Sequence, residues 1–214
     1  AAAGRNIGYA LESLRTAAAI GCTRFLFSGS QAEYGIYSTV MKEDGVCSPV
    51  SEYGKDKLEV CRRASEEAEK AGHHLYPCKD FQRIWSRGPS LVPGFYLYRY
   101  VSEGRPYGDG RLYPNVEFPV YNGCGQGFGR PFACQSPAGV YNVAGEDTRP
   151  LKEYIEELHG LCGGKGTYEY GKRLPNAEGV VSLMPDISKL TRAAGFRQEV
   201  SFGDGIREML KLRY

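Results

Sequence analysis

Apolar residues recur at helical spacing over residues 6–20, NIGYALESLRTAAAI, where Ile7, Ala10, Leu11, Leu14 and Ala18 share a face. Gly21 then stops the predicted helix. The pattern changes in TRFLFSGS, residues 23–30, a short apolar run ending in small residues that predicts a strand. The C-terminal end of such a strand is where open α/β sheets place their chemistry. Pro49 and Ser51 lead into a second helical pattern over residues 52–71, with a charged outer face and Gly72 at its end. Downstream, GVYNVAGED reads as a strand and RPLKEYIEELHGL as a helix with Thr148 at its N-cap. GTYEYGKRL reads as a strand. DISKLTRAAGF and SFGDGIREMLKL read as short helices capped by Asp186 and Ser201. This order of elements predicts an α/β protein.

One stretch breaks the pattern. Residues 73–135 crowd glycine, proline, arginine and aromatics together, with no sustained period of a strand or a helix. A loop of that length is foreign to a compact domain.

Composition adds mainly exclusions. The chain has 214 residues, 42% apolar and 24% charged, which suits a globular protein with one sizeable core or a domain and a half. A formal charge of +2 with no basic stripe argues against a nucleic-acid partner. No apolar run approaches the ~20 residues that span a bilayer, and the opening AAAGRNIGYA does not read as a signal peptide. Seven cysteines (Cys22, Cys47, Cys61, Cys78, Cys124, Cys134 and Cys162) are odd in number and form no C-x-x-C pair. That spacing argues against a zinc site, and scattered thiols fit a reducing cytoplasm.

Candidate chemistry sits in SEYGKDK, residues 51–57. On a helix, Tyr53 and Lys57 lie one turn apart on the same face. A tyrosine is a poor base at its reference pKa of about 10, and a neighbouring ammonium lowers that value by favouring the phenolate. Ser30, at the end of the preceding strand, supplies a hydroxyl that could hold a substrate oxygen while Tyr53 exchanges a proton. Taken alone, a Tyr–Lys pair at this spacing is common by chance and far more often marks two side chains sharing a helix face than a catalytic pair.

The surrounding residues change that balance. The strand end FSGSQAEYG, the Ser-Pro before the second helix and the order of elements together resemble the extended short-chain dehydrogenase/reductases. Within them, the NAD-dependent nucleotide-sugar epimerase/dehydratases are the group resembled. Ser30, Tyr34-Gly35, Tyr53 and Lys57 match that family's Ser/Thr, Tyr-Gly and Tyr-x-x-x-Lys positions, and the likeness covers residues 6–72 and 136–212. The resemblance implies a partial Rossmann-like, doubly wound parallel sheet plus a small C-terminal α/β substrate domain. It implies NAD or NADP as cofactor, a nucleotide sugar as substrate and a homodimer as a possible assembly. It gives Tyr53 the acid–base role, Lys57 the tuning of Tyr53 and the nicotinamide ribose, and Ser30 with Gln31 the substrate. Sugar dehydratases of the family carry an Asp-Glu pair where this chain has Gln31 and Ala32, so an epimerase or ketoreductase is favoured; Glu33 lies one position further on.

The chain departs from the family pattern in two places. The family opens with a strand and a Gly-x-x-Gly-x-x-Gly turn for the pyrophosphate. The match here, Gly160, Gly163 and Gly166, follows a helix and reads as a helix C-cap. The resemblance thus implies a chain lacking its main cofactor-binding half. The second departure is the patternless stretch, which reads as a frameshifted segment. Reverse-translated and read one base later, DFQRIWSRG (residues 80–88) gives I-F-S-V-Y-G-P-G-D, similar to the family's strand and substrate loop. Residues 111–122 and 123–131 can be shifted the same way, which makes the glycines at 123–129 and the pair His73 and His74 artefacts of the frame. His159 reads as a surface residue rather than a ligand.

The expected organisation is therefore residues 1–77 as half of a dinucleotide-binding domain, 78–135 as the anomalous segment and 136–214 as the substrate subdomain. The expected function is that of an NAD(P)-dependent nucleotide-sugar epimerase or ketoreductase. Its rivals are an inactive remnant of such an enzyme, the expected state of the chain as written, and a non-enzymatic binding module.

Overall fold

The computed structural model describes residues 3–22, 24–71, 74–80, 84–85, 107–109, 116–117, 120–121, 137–171 and 182–211. Helix α1 (Ala3–Ala19) ends as its glycine requires: Gly21 takes a φ of +83°, and the N–H of Cys22 returns to the Ala17 carbonyl. Strand β1 (Arg24–Ser28) follows, then a 3-10 turn over Gln31–Glu33 and helix α2 (Glu52–Ala71), with the bounds the sequence predicts. Strand β2 (His74–Asp80) lies parallel to β1, so β1, α2 and β2 form a β-α-β crossover.

The stretch without periodicity is thus partly strand. Beyond β2 it contributes β3 (Ile84–Trp85), β4 (Tyr107–Asp109), β5 (Val116–Glu117) and β6 (Val120–Tyr121). Pro77 removes a ladder donor from β2, which hides the strand from a sequence reading. The cost is confined, because Pro77 faces Phe27 of β1 only, and pairing with the other neighbour begins at Cys78. The remainder of the proposed frameshifted segment, with His73 and the glycines at 123–129, lies outside the described residues.

Strand β7 (Tyr141–Val143) completes a parallel sheet in the order β1-β2-β7. Register fixes its faces. Ser28, Cys78 and Tyr141 are aligned partners, so Phe25 and Phe27 share a face with Asn142, and Tyr141 and Val143 lie on the other. On the first face, Phe25 and Phe27 pack with Leu11 and Leu14 of α1 and Ala64 and Ala68 of α2. On the second, Tyr141 and Val143 pack with Leu190 and Phe196 at helix α4 (Ser188–Ala194). Helices therefore cover both faces of a parallel sheet, an α/β arrangement.

Strand β8 (Thr148–Arg149) corrects the expected helix start. Thr148 is not an N-cap; it pairs with Glu117 of β5, and helix α3 (Leu151–Leu161) begins only after Pro150. A proline disfavours helical backbone in the residue before it, which keeps Arg149 extended. Strand β9 (Tyr168–Tyr170) pairs with β4. Asp186 acts near its expected place, accepting the Ser188 N–H at 2.8 Å, although Ile187 holds the cap position itself. Helix α5 (Phe202–Lys211) is capped by Ser201, whose Oγ accepts the Asp204 N–H at 3.1 Å. The largest cluster joins Tyr34 and Met41 to Leu151, Tyr154, Ile155 and Leu158 of α3 and Phe202, Ile206 and Met209 of α5.

Candidate active site

The predicted residues lie at the C-terminal end of β1 and the N-terminal end of α2. Ser30 is buried and caps the 3-10 turn: its Oγ accepts the Ala32 N–H at 3.2 Å, and its own N–H donates to Glu33 Oε1 at 2.7 Å. This is a reciprocal capping box. Glu33 is fully buried, so one of its oxygens is engaged by the turn that carries Ser30. Gln31 is half-buried and gives its carbonyl to the Tyr34 N–H at 3.0 Å.

Tyr34-Gly35 serves the scaffold of the site. Tyr34 is fully buried and its hydroxyl donates to Asn142 Oδ1 at 2.7 Å. Burial pushes the Tyr34 phenol well above its ordinary range, so it stays protonated. Gly35 sits at φ +78°, and a Cβ there would fall 1.9 Å from the Ser48 carbonyl oxygen. Glycine alone tolerates both conditions.

Helix α2 comes directly against the turn. A Cβ on Gly54 would lie 2.3 Å from the Ala32 carbonyl oxygen, so glycine permits the approach. Ser51 Oγ accepts the Gly54 N–H at 3.2 Å and helps start the helix. Tyr53, beside Gly54, is 56% exposed. Lys57 lies one turn on, its Nζ 5.9 Å from the centre of the Tyr53 ring and 5.1 Å from that of Phe27. The Lys57 ammonium donates to the Ser28 carbonyl at 2.8 Å, tying α2 to the end of β1. The fold thus brings the Ser30 turn and the Tyr53–Lys57 turn together, with Tyr53 presented to solvent.

Two contributors escaped the sequence reading. Gly54 carried a signal, a glycine inside the first turn of a helix. Asn142 carried another, a polar residue in the middle of an apolar strand. It is fully buried, and its Nδ2 donates to the carbonyls of Met41 (2.9 Å) and Asp186 (3.2 Å).

The glycines at 160–166 form a helix end, as expected. Gly163, Gly164 and Gly166 all have positive φ, and the Gly164 N–H returns to the His159 carbonyl of α3. His159 is half-buried, with Nε2 3.1 Å from the Gly166 carbonyl and its ring edge-on to Tyr168. Among the described residues, no group of three or more His, Cys, Asp or Glu could hold a metal, and no helix is long and apolar enough to cross a membrane.

No protein-family model and no curated protein sequence matches the chain. Solved structures do. The UDP-glucuronic acid 4-epimerase from Bacillus cereus, in complex with UDP-glucuronic acid and NAD, superposes with a TM-score of 0.78 at 23% identity, covering 98% of this chain and 68% of that one. The UDP-glucose 4-epimerase of Thermotoga maritima, with UDP-glucose, gives 0.81 at 16% identity over 94% and 67%. RMD from Pseudomonas aeruginosa, complexed with NADPH, gives 0.77 at 19% over 94% and 70%. The chain thus has the α/β fold of these proteins and spans about two thirds of their length.

Proposed function

We propose that this chain carries the acid–base and substrate half of an NAD(P)-dependent nucleotide-sugar oxidoreductase with a doubly wound, Rossmann-like fold. The reaction is epimerisation or keto reduction. The observation that carries the reading is the exposed Tyr53 above Lys57, with Lys57 bonded to the strand end beside the Ser30 turn. Three structures that share the fold were solved with UDP-sugars, NAD or NADPH. Tyr53 exchanges a proton with a sugar hydroxyl. Lys57 favours its phenolate. Ser30, with Gln31, holds the reacting oxygen. A bound nicotinamide supplies the hydride chemistry, and Tyr53 and Lys57 would hold its ribose.

The fit of the cofactor is uneven. A hydroxyl and an ammonium face the correct end of a parallel sheet. The glycine run at 160–166 is a helix cap, however, and offers no pyrophosphate turn. Epimerase or ketoreductase is favoured over dehydratase because Gln31 and Ala32 hold no proton-transfer group and Glu33 is taken up in the capping box. Cysteines scattered through the sequence with no C-x-x-C pair fit a reducing compartment such as the cytoplasm. Tyr9 on α1 and Ile20 just past its end are exposed apolar surface that a homodimer would cover; a monomer by light scattering removes that part.

The test is turnover of UDP-glucose and UDP-glucuronic acid with NAD, alongside NAD binding by calorimetry. Saturable binding and turnover that disappears in Tyr53→Phe are expected. The glycine run favours a second reading, an inactive remnant of such an enzyme; absence of NAD binding and of turnover would select it.

A further inference from the structure

The geometry points to Asn142 as a positioning residue, which fastens the Ser30–Tyr34 turn and the loop leading to α2 onto the central sheet. The inference rests on the proposed acid–base roles of Ser30 and Tyr53. Asn142 lies on β7 between Tyr141 and Val143, both buried against the α4 side. Its own side chain lies on the opposite face, the one that carries Phe25 and Phe27 of β1. There a buried amide needs an acceptor and donors matched at once. Tyr34 Oη donates to its oxygen, and its nitrogen donates to the carbonyls of Met41 and Asp186. Aspartate lacks the donors, and leucine lacks both.

The partners explain what the amide controls. Tyr34 ends the turn that Ser30 begins, and its N–H bonds to the Gln31 carbonyl. The Tyr34 carbonyl takes the Ser48 N–H at 3.1 Å, just before Pro49, Ser51 and Tyr53. Met41 is the middle of the connecting loop, clamped by its N–H to Met184 and its carbonyl to the Asp186 N–H. One side chain therefore grips the loop at two points between the serine and the tyrosine, and couples both to residues 184–186. A buried polar residue that only stabilises the core would have no such bias toward one loop.

The experiment uses the full chain. Tyr34→Phe removes only the hydroxyl; Asn142→Asp keeps the acceptor and removes the donors. The readouts are turnover of UDP-glucose with NAD and amide exchange by NMR. Expected in Tyr34→Phe is a kcat about tenfold lower with KM within about twofold, the split of an interaction that orients reacting groups. Exchange at the Tyr34, Met41 and Ser48 amides should rise about tenfold while Ala64 and Ala68 in α2 stay as in the parent. Asn142→Asp should follow the same pattern more deeply. Acceleration at Ala64 and Ala68 equal to that in the loop, or an unchanged kcat, overturns the proposal and leaves Asn142 a stabilising residue. A parent chain without turnover sinks the oxidoreductase reading instead. In that case exchange confined to the loop upholds the fastening, and exchange spread through the chain refutes it.

Discussion

Gly54→Ala tests how closely α2 must approach the Ser30 turn. The new methyl would start 2.3 Å from the Ala32 carbonyl oxygen and 3.0 Å from Pro49 Cβ. A tolerable carbon–oxygen contact is about 3.3 Å or more, so something must move by ~1 Å. The nearest obstacle is backbone, which cannot rotate away. Overpacking of this kind costs about 1–3 kcal/mol. Alanine returns at most ~1 kcal/mol of helix propensity, and less in a first turn. The net destabilisation is about 1–2 kcal/mol, a fall in Tm of roughly 3–6 °C for a chain of this size. Gly8→Ala in α1 is the control, because a Cβ there meets nothing within 4 Å. It should raise Tm by a few degrees at most, for a gain of up to ~1 kcal/mol. Both are read by urea and thermal unfolding followed by circular dichroism. A Gly54→Ala chain as stable as the parent, or more so, refutes the close approach. With an intact fold, a ~1 Å displacement beside Tyr53 should lower turnover by up to about a hundredfold.

Other expectations follow from the same geometry. Tyr53→Phe should cut turnover by about 10²–10⁴-fold with Tm nearly unchanged, since the side chain is exposed; a large fall in Tm would recast Tyr53 as structural. Glu33→Gln keeps an oxygen for the Ser30 N–H and so preserves the capping bond, and turnover should stay within about threefold of the parent. A loss of a hundredfold or more would make Glu33 a proton-transfer group and revive a dehydratase. Gly35→Ala, which combines positive φ with a 1.9 Å clash on backbone, should prevent accumulation of soluble folded chain; a normal yield would contradict the tight turn. Hydrogen bonds from Arg15 to Glu67, Ser188 to Asp186 and Ser201 to Asp204 hold those carboxyls below their ordinary values. Their stabilisation is complete above the unfolded value of about 4 and is lost as pH falls through the lowered folded values. The urea midpoint should therefore decline below about pH 4, and less steeply in Asp186→Asn; an identical acid limb would show that this pairing contributes nothing.

Local rules made much of the fold legible. The apolar spacing of Leu11 and Leu14, the glycine at 21 and the charged face of 52–71 act within a few turns of chain, and both helices appear where those signals put them. The Ser30, Tyr53 and Lys57 positions were legible for the same reason, as close neighbours of a strand end and a helix start. What was not legible depends on partners far away. β2 contains a proline and is held by its neighbours rather than by its own propensity. β8 exists because Thr148 and Arg149 meet β5, with Pro150 delaying the helix. Asn142 acquires its meaning only when residues 101 and 108 positions away close around it.

The fastenings of the proposed acid–base corner are separable from the question of cofactor binding. Ser30 is held by Glu33, α2 by the Gly54 contact with Ala32, and Lys57 by the Ser28 carbonyl, all within residues 28–57. Each hydrogen bond contributes a net ~0.5–1.5 kcal/mol, whereas the Asn142 grip and the Met41 bonds to residues 184 and 186 reach across the chain. The corner can therefore keep its geometry in a chain that binds no dinucleotide, and an ordered corner is not evidence of turnover. The two readings part at a single comparison. A working oxidoreductase must couple them, so that NAD slows amide exchange at Ser30 and Lys57 and Tyr53→Phe abolishes turnover. A remnant would keep slow exchange in the corner with and without NAD, and Tyr53→Phe would change nothing that can be measured.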